Sequence, residues 1–141
     1  MHYRELTGSR EFVASLTHGE DWRGQIEDFA RDEGIEAAVF FGLGTVQDAA
    51  IWYYDQDEQT YRETVFDEPL EVAACVGNIS LDVDGDPFAH THVVLSREDG
   101  STIAGHLDAG TTYIGELYVR TFEESLERAP DETTGGDLWA L

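Results

Sequence analysis

The chain has 141 residues, 41% of them hydrophobic, which suits one ordinary domain with enough apolar material for a core. Thirty acidic residues stand against eight basic ones, every one an arginine, for a formal net charge of -22. The acids are interleaved with aromatic and β-branched residues, which argues against a disordered acidic tail, and the scattered arginines argue against a basic nucleic-acid-binding surface. An acidic skin without lysine fits a cytoplasm of very high salt, where repulsion between carboxylates is screened.

From the N-terminus, Glu5–Leu16 reads as extended. A helix is predicted from Glu20 to about Glu33, because Trp22, Ile26, Phe29 and Ala30 fall on one face. Glu20 and Asp21 suit its positive end, and Gly34 is a natural stop. Ala37–Phe41 is a short apolar strand ended by Gly42-Leu43-Gly44, which reads as a tight turn; no further glycine or Gly-Lys-Ser/Thr follows to make a phosphate loop. Val46–Tyr54 continues extended, Asp55–Glu58 turns, and Thr60–Phe66 returns. Pro69 opens a strand over Leu70–Leu81 with an interruption near Gly77; the single Cys75 inside it reads as a small buried residue, not a nucleophile. An acidic turn at Asp82–Asp86 precedes a hairpin, then a strand over Thr111–Phe122. Ser125–Leu141 holds a loop at Thr133–Gly136. Many strands at hairpin spacing and one main helix predict an α+β domain spanning residues 1–141, built on a mostly antiparallel β-sheet. No signal peptide and no run of ~18 apolar residues appears, so a soluble cytoplasmic protein with no membrane partner is expected.

The hairpin carries the chemistry. His90 and His92 are two apart on a strand and project to the same face. The turn decides where His106 goes. A three-residue loop Glu98-Asp99-Gly100, with Gly100 left-handed, pairs Arg97 with Ser101 and sets His92 opposite His106. A two-residue Asp-Gly loop instead pairs His92 with Leu107 and sends His106 to the other face. In the first register His90, His92, Val94, Ala104, His106 and Asp108 share one face, and Thr91, Val93, Leu95, Ile103 and Leu107 share the better core face. Three convergent imidazoles are a common protein contribution to a Zn²⁺ site with one open position. Asp108 is placed to accept from a histidine N–H, and Glu116, among apolar neighbours on the next strand, is the one candidate base or outer partner. His2 and His18 lie outside the cluster, and Trp22, Trp52 and Trp139 read as packing or subunit-contact residues.

These segments resemble the PPC family (plants and prokaryotes conserved, also DUF296) almost end to end. The specific part is the three-block pattern Pro87-Phe-Ala-His-Thr-His92, Asp99-Gly100 and Gly105-His-Leu107. Gly19-Glu-Asp21, Phe41-Gly-Leu-Gly-Thr45, Leu70-Glu-Val through Gly77-Asn-Ile79, Glu116-Leu-Tyr-Val119 and Thr134-Gly135 support it. Ala104 departs from it, where many relatives have a second glycine. The resemblance implies a compact α+β homotrimer with a fold similar to acetolactate decarboxylase, which also uses a three-histidine zinc site. It implies a metal, typically Zn²⁺, held through histidines matching His90, His92 and His106 in archaeal and bacterial relatives. In plants the domain follows AT-hook motifs in DNA-binding regulators, and many prokaryotic relatives carry a DNA-binding label. This chain has no Arg-Gly-Arg-Pro hook.

The expected protein is therefore a zinc-binding (or other divalent-metal) homotrimer from a halophile, with a three-histidine site able to hold a small ligand. The alternative is a DNA-associated regulatory or assembly module without catalysis. The sequence leaves open whether the protein is an enzyme.

Overall fold

A computed structural model describes all 141 residues, Met1–Leu141. Ten strands and one helix follow one another as β1 (Gly8–Leu16), α1 (Trp22–Glu33), β2 (Ala37–Val46), β3 (Ala49–Asp55), β4 (Thr60–Phe66), β5 (Leu70–Leu81), β6 (Pro87–Ser96), β7 (Thr102–Ala109), β8 (Thr112–Phe122), β9 (Arg128–Pro130) and β10 (Asp137–Trp139). The first eight strands form one antiparallel sheet in the order β1-β8-β2-β5-β6-β7-β3-β4, and β9 and β10 make a small separate hairpin. This is the predicted α+β architecture.

The helix forms where its apolar spacing predicts. Asp21 is the N-cap: its Oδ1 accepts from the Gly24 N–H at 2.7 Å, and its Oδ2 accepts from the Gly110 N–H at 2.9 Å. One carboxylate thus starts the helix and ties it to the β7–β8 turn, so Asp21→Ala should cost more than the ~1 kcal/mol of an ordinary cap. Because Asp21 keeps extended backbone as the cap, the first helical residue is Trp22, later than the expected Glu20. Gly34 ends the helix in the left-handed region at φ 63°, as expected. Trp22, Ile26 and Ala30 are fully buried, and Phe29 meets Phe12 edge-on at 5.2 Å. Trp22, Ile26 and Ala30 join Phe40, Ile79, Leu95, Leu107 and Val119 in a core covering one face of the sheet.

Three local expectations are corrected. Gly42-Leu43-Gly44 is not a turn: β2 runs through it to Val46, with a register irregularity against β5 between Gly42 and Gly44. The glycines serve close approach, since a Cβ on Gly42 would lie 2.6 Å from Leu117 Cδ2. Gly77 likewise does not interrupt β5: its missing side chain admits the Phe40 ring, and the irregularity lies between Val72 and Ala74. The stretch Val46–Tyr54 is split, with β2 ending at Val46 and β3 starting at Ala49. Asp48 explains the break, because its Oδ1 accepts from the Thr111 N–H and hydroxyl, both at 3.1 Å. The turns at Asp55–Glu58 and Asp82–Asp86 form as predicted, each around an aspartate whose Oδ1 accepts backbone N–H groups. No helix of the structure is long and apolar enough to cross a membrane.

Candidate metal centre

Strand β6 sorts its residues by alternation. Ala89, Thr91, Val93 and Leu95 are buried towards α1, and His90, His92 and Val94 point to the opposite, open face. The turn resolves the register in favour of the three-residue loop. The Arg97 N–H donates to the Ser101 carbonyl at 2.9 Å, and the Gly100 N–H donates to the Arg97 carbonyl at 2.9 Å. Gly100 stands at φ 81°, the left-handed position that the loop requires. Asp99 Oδ1 fixes the turn by accepting from the Ser101 N–H at 2.8 Å. His92 consequently lies directly across from His106.

The three imidazoles converge. Ring centroids are 5.1 Å apart for His90–His92 and for His90–His106, and 5.5 Å for His92–His106. One nitrogen of each ring lies within 4.8 Å of the others. His92 is exposed, His90 is half-buried and His106 is buried at 6% exposure. Neither ring nitrogen of His106 has a hydrogen-bond partner. An unmatched buried polar group costs about 1–3 kcal/mol, so this ring is built for a partner that the protein chain does not supply.

Electrostatics keeps the lone pairs available. Burial, aided by the Arg128 guanidinium and the neighbouring His92, pushes His90 down to about 4. Burial, with smaller effects from the other two imidazoles and from Arg23 and Arg128, pushes His106 down to about 4 as well. Both rings are neutral at pH 7, the state that ligates a metal. A trio of neutral imidazoles on a rigid hairpin suits a divalent ion of the zinc type and leaves a coordination position for water or a ligand.

A cavity of about 500 Å³ adjoins the histidines. Trp52, on β3 across from His106, stacks on its ring at 5.7 Å with an interplanar angle of 11°. Tyr54, Tyr61 and Phe88 add aromatic walls, and the tail from Thr134 to Leu138 forms the outer side. The tail is held by the Tyr54 hydroxyl donating to the Thr134 carbonyl, by Gln59 Nε2 donating to the Thr133 carbonyl at 3.0 Å, and by Arg128 Nη1 donating to the Asp137 carbonyl at 2.8 Å.

The other predicted residues lie elsewhere. Glu116 is exposed on β8, with β2 and β5 between its strand and β6, and it borders a different hollow. Its apolar neighbours therefore do not bury it, and the structure does not bring it to the histidines. Asp108 pairs with Arg23 at 3.5 Å and makes no bond to a histidine; burial raises its carboxyl above the usual range, against the opposing Arg23. His18 is exposed, with Nδ1 at 3.0 Å from the Tyr113 carbonyl oxygen. Cys75 is buried, and burial pushes its thiol up to about 11, in keeping with an inert core residue. Sequence reading missed Trp52 as a wall of the site, and with it Tyr54, Tyr61, Phe88 and Arg128. Phe88, two residues before His90 on β6, could have been found from the same strand alternation; the others reach the site only through β3–β7 pairing, the β3–β4 hairpin and the path of the C-terminal tail, which leave no local signal.

Several known proteins share this fold. The family model of the Plants and Prokaryotes Conserved (PCC) domain matches residues 3–123. A protein of Archaeoglobus fulgidus described as metal-containing is 37% identical, covers 100% of both chains and superposes with a TM-score of 0.95. A plant- and prokaryote-conserved protein of Pyrococcus horikoshii is 31% identical over 100% of this chain and 98% of its own, with a TM-score of 0.93. A Ralstonia eutropha protein, provisionally described as DNA-binding, is 26% identical over 92% of this chain and 90% of its own, with a TM-score of 0.81. At the level of fold alone, the chain resembles a Staphylococcus aureus protein described as similar to alpha-acetolactate decarboxylase, at 12% identity and a TM-score of 0.56 over 84% of this chain and 54% of that one. No curated protein matches the sequence.

Proposed function

The chain belongs to the Plants and Prokaryotes Conserved domain family, and from that membership together with the histidine geometry we propose that it is a metal-binding protein whose His90, His92 and His106 hold one divalent ion, Zn²⁺ above others. The observation that carries this reading is the buried His106 ring, which has no partner for either nitrogen and has two other imidazoles within reach. The 37% identical relative described as metal-containing supports it. The bound ion would supply Lewis acidity and a site for a small oxygen ligand. Of this chain's residues, the hairpin fixes the rings, Trp52 holds the His106 plane, and the aromatic walls with the tail limit access of water.

The same reading includes a homotrimer in the cytoplasm of a halophile. Val13, Phe41, Leu43 and Val76 are exposed on the open face that also bears His92, an apolar area suited to a subunit contact. A charge of -22 favours folding where salt screens it. Metal analysis of purified protein beside His92→Ala tests the centre. About one zinc per chain is expected in the wild type and little in the variant; equal metal in both rejects the assignment. The description of the Ralstonia relative favours a second reading, a DNA-associated module. Every arginine pairing with a carboxylate here reduces the positive surface that such a module needs, so the second reading ranks below the first.

A further inference from the structure

Arg4, Arg120 and Arg128 are the three arginines without an ion pair, and of these only Arg128 is partly buried. Five of the eight, Arg10, Arg23, Arg31, Arg62 and Arg97, form ion pairs with aspartate or glutamate. Arg128 has no carboxylate within 4.0 Å, in a chain with thirty acidic residues, although it is partly buried. Its bonds go to neutral oxygens: Nε to the Ser80 hydroxyl at 2.8 Å, Nη2 to the Asn78 side-chain carbonyl at 3.0 Å and Nη1 to the Asp137 backbone carbonyl at 2.8 Å. A guanidinium carries five N–H donors. Three are committed and one remains on each terminal nitrogen, so the fork is fixed in direction; the Asp137 carboxylate acts on its charge from beyond ion-pairing distance, and no carboxylate touches it.

The fixed direction lies over the histidine site. Asn78 is the direct cross-strand neighbour of His90. The guanidinium lies 5.1 Å from the Phe88 ring centroid, and Phe88 stacks against His90. Arg128 lines the same cavity as His90 and His106, with Asp82 and Asp137 also on its wall and neither in contact with the guanidinium through its carboxylate. A half-buried cation that no carboxylate touches is costly to keep beside a metal site unless an anion completes it.

We propose that Arg128 is the anion-binding half of the cavity, so that the protein takes a small organic carboxylate whose carboxyl group meets the guanidinium while a neighbouring oxygen of the same molecule reaches the histidine-held metal. This rests on the metal reading above. A bidentate fork suits a carboxylate, and the aromatic walls of Trp52, Tyr61 and Phe88 suit a short apolar substituent beside the two oxygen-bearing carbons. Arg128 also anchors the tail through Asp137, so binding at the guanidinium would be felt by the outer wall of the cavity.

The test uses zinc-loaded protein, with lactate as the probe and lactamide, its neutral amide, as the control. Lactate should move the Arg128 Nε–H resonance, and lactamide should leave it in place. Arg128→Gln should keep its zinc and lose roughly tenfold to a hundredfold in lactate affinity, as expected for a lost charged hydrogen-bond pair, with lactamide affinity unchanged. Zinc-loaded wild type that does not bind lactate, or that binds it without moving the Arg128 resonance, overturns the proposal. So does a folded Arg128→Gln variant that binds lactate as the wild type does. The wild-type resonance decides the matter if the variant fails to fold. Protein that takes up no zinc overturns the metal reading first and removes the basis of this one, an outcome that metal analysis distinguishes.

Discussion

Two of the protein's hollows are nearly equal in size, about 500 Å³ beside the histidines and about 460 Å³ along β1, β2 and β8. The second is bordered by Val13, Phe41, Leu43 and Tyr118, with the exposed Glu116 at its side. Volume does not separate them; the donors do. In the first, imidazole nitrogens converge from two paired strands and lose water, so their lone pairs have nowhere else to go. In the second, the one carboxylate faces solvent and its neighbours are apolar, the character of a surface that another protein chain covers. Chemistry is expected where desolvated donors converge, and association where apolar side chains are left in water.

The sharpest way to break this contrast is to remove one donor from each hollow. His106→Ala should lower zinc affinity by at least about a hundredfold, beyond the ~10–100-fold typical of changes outside the ligand shell. Glu116→Gln should leave zinc content as it is. Metal titration against a competing chelator gives both numbers, and equal losses in the two variants would erase the distinction. The second hollow answers to mass instead of metal. Phe41→Asp should convert a trimer to smaller species by light scattering in multimolar KCl, because it sets a charge in the middle of the apolar strip. Wild type of monomer mass in that salt would remove the trimer. The wild type should also melt at lower temperature in low salt, where its carboxylates repel one another unscreened; equal melting temperatures would remove the halophile reading.

The histidine hollow carries a smaller, pH-dependent signature. In metal-free protein His90 and His106 titrate at about 4, against an ordinary value of 6.5. Between those values the unfolded chain binds more protons than the folded one. Stability is therefore complete above pH 6.5 and declines as pH falls towards 4. The loss is on the order of 2–3 kcal/mol for buried His106 and less for His90, which solvent screens more. Carboxylates also titrate over this range, Asp55, Asp99 and Glu124 from below and Asp108 from above the ordinary value, so the comparison is with a His90→Asn/His106→Asn variant in which those groups are unchanged. Urea unfolding at pH 7 and pH 4.5 should show the wild type losing more stability than the variant, and parallel losses would contradict the cause assigned to these two rings.

The same contrast explains what the sequence made legible. His90, His92 and His106 could be placed because their geometry is local: alternation within one strand and a turn that Gly100 permits at φ 81°. The helix was legible for the same reason, through its spacing and through Gly34 at its end. Gly42 and Gly77 were misread because a glycine in a strand marks either a turn or close approach, and only the neighbouring strand tells which. Glu116 was misjudged because apolar neighbours along a strand do not report what covers the face it points to. Trp52 and Arg128 were not seen as parts of the site because pairings across 54 residues and a tail folding back over the sheet are tertiary facts. Local pattern located the donors, and long-range packing supplied the walls and the charge around them.

The smallest effect expected is none at all, on DNA. A duplex binder gains affinity by neutralising phosphates, and each neutralised phosphate adds about −0.9 to the salt slope. This chain has eight arginines, five of them in ion pairs, and Arg128 is turned over the histidine cavity. The -22 net charge repels the duplex most strongly at low salt, the condition under which basic proteins bind best. Purified protein should therefore give no gel shift with duplex DNA in multimolar KCl, and none in low salt while circular dichroism shows it folded. The pair of conditions matters, because failure in high salt alone would reflect screening, whereas failure in both reflects a surface without phosphate contacts. A micromolar shift that survives a chelator, in either condition, would raise the DNA-associated reading above the metal-centred one.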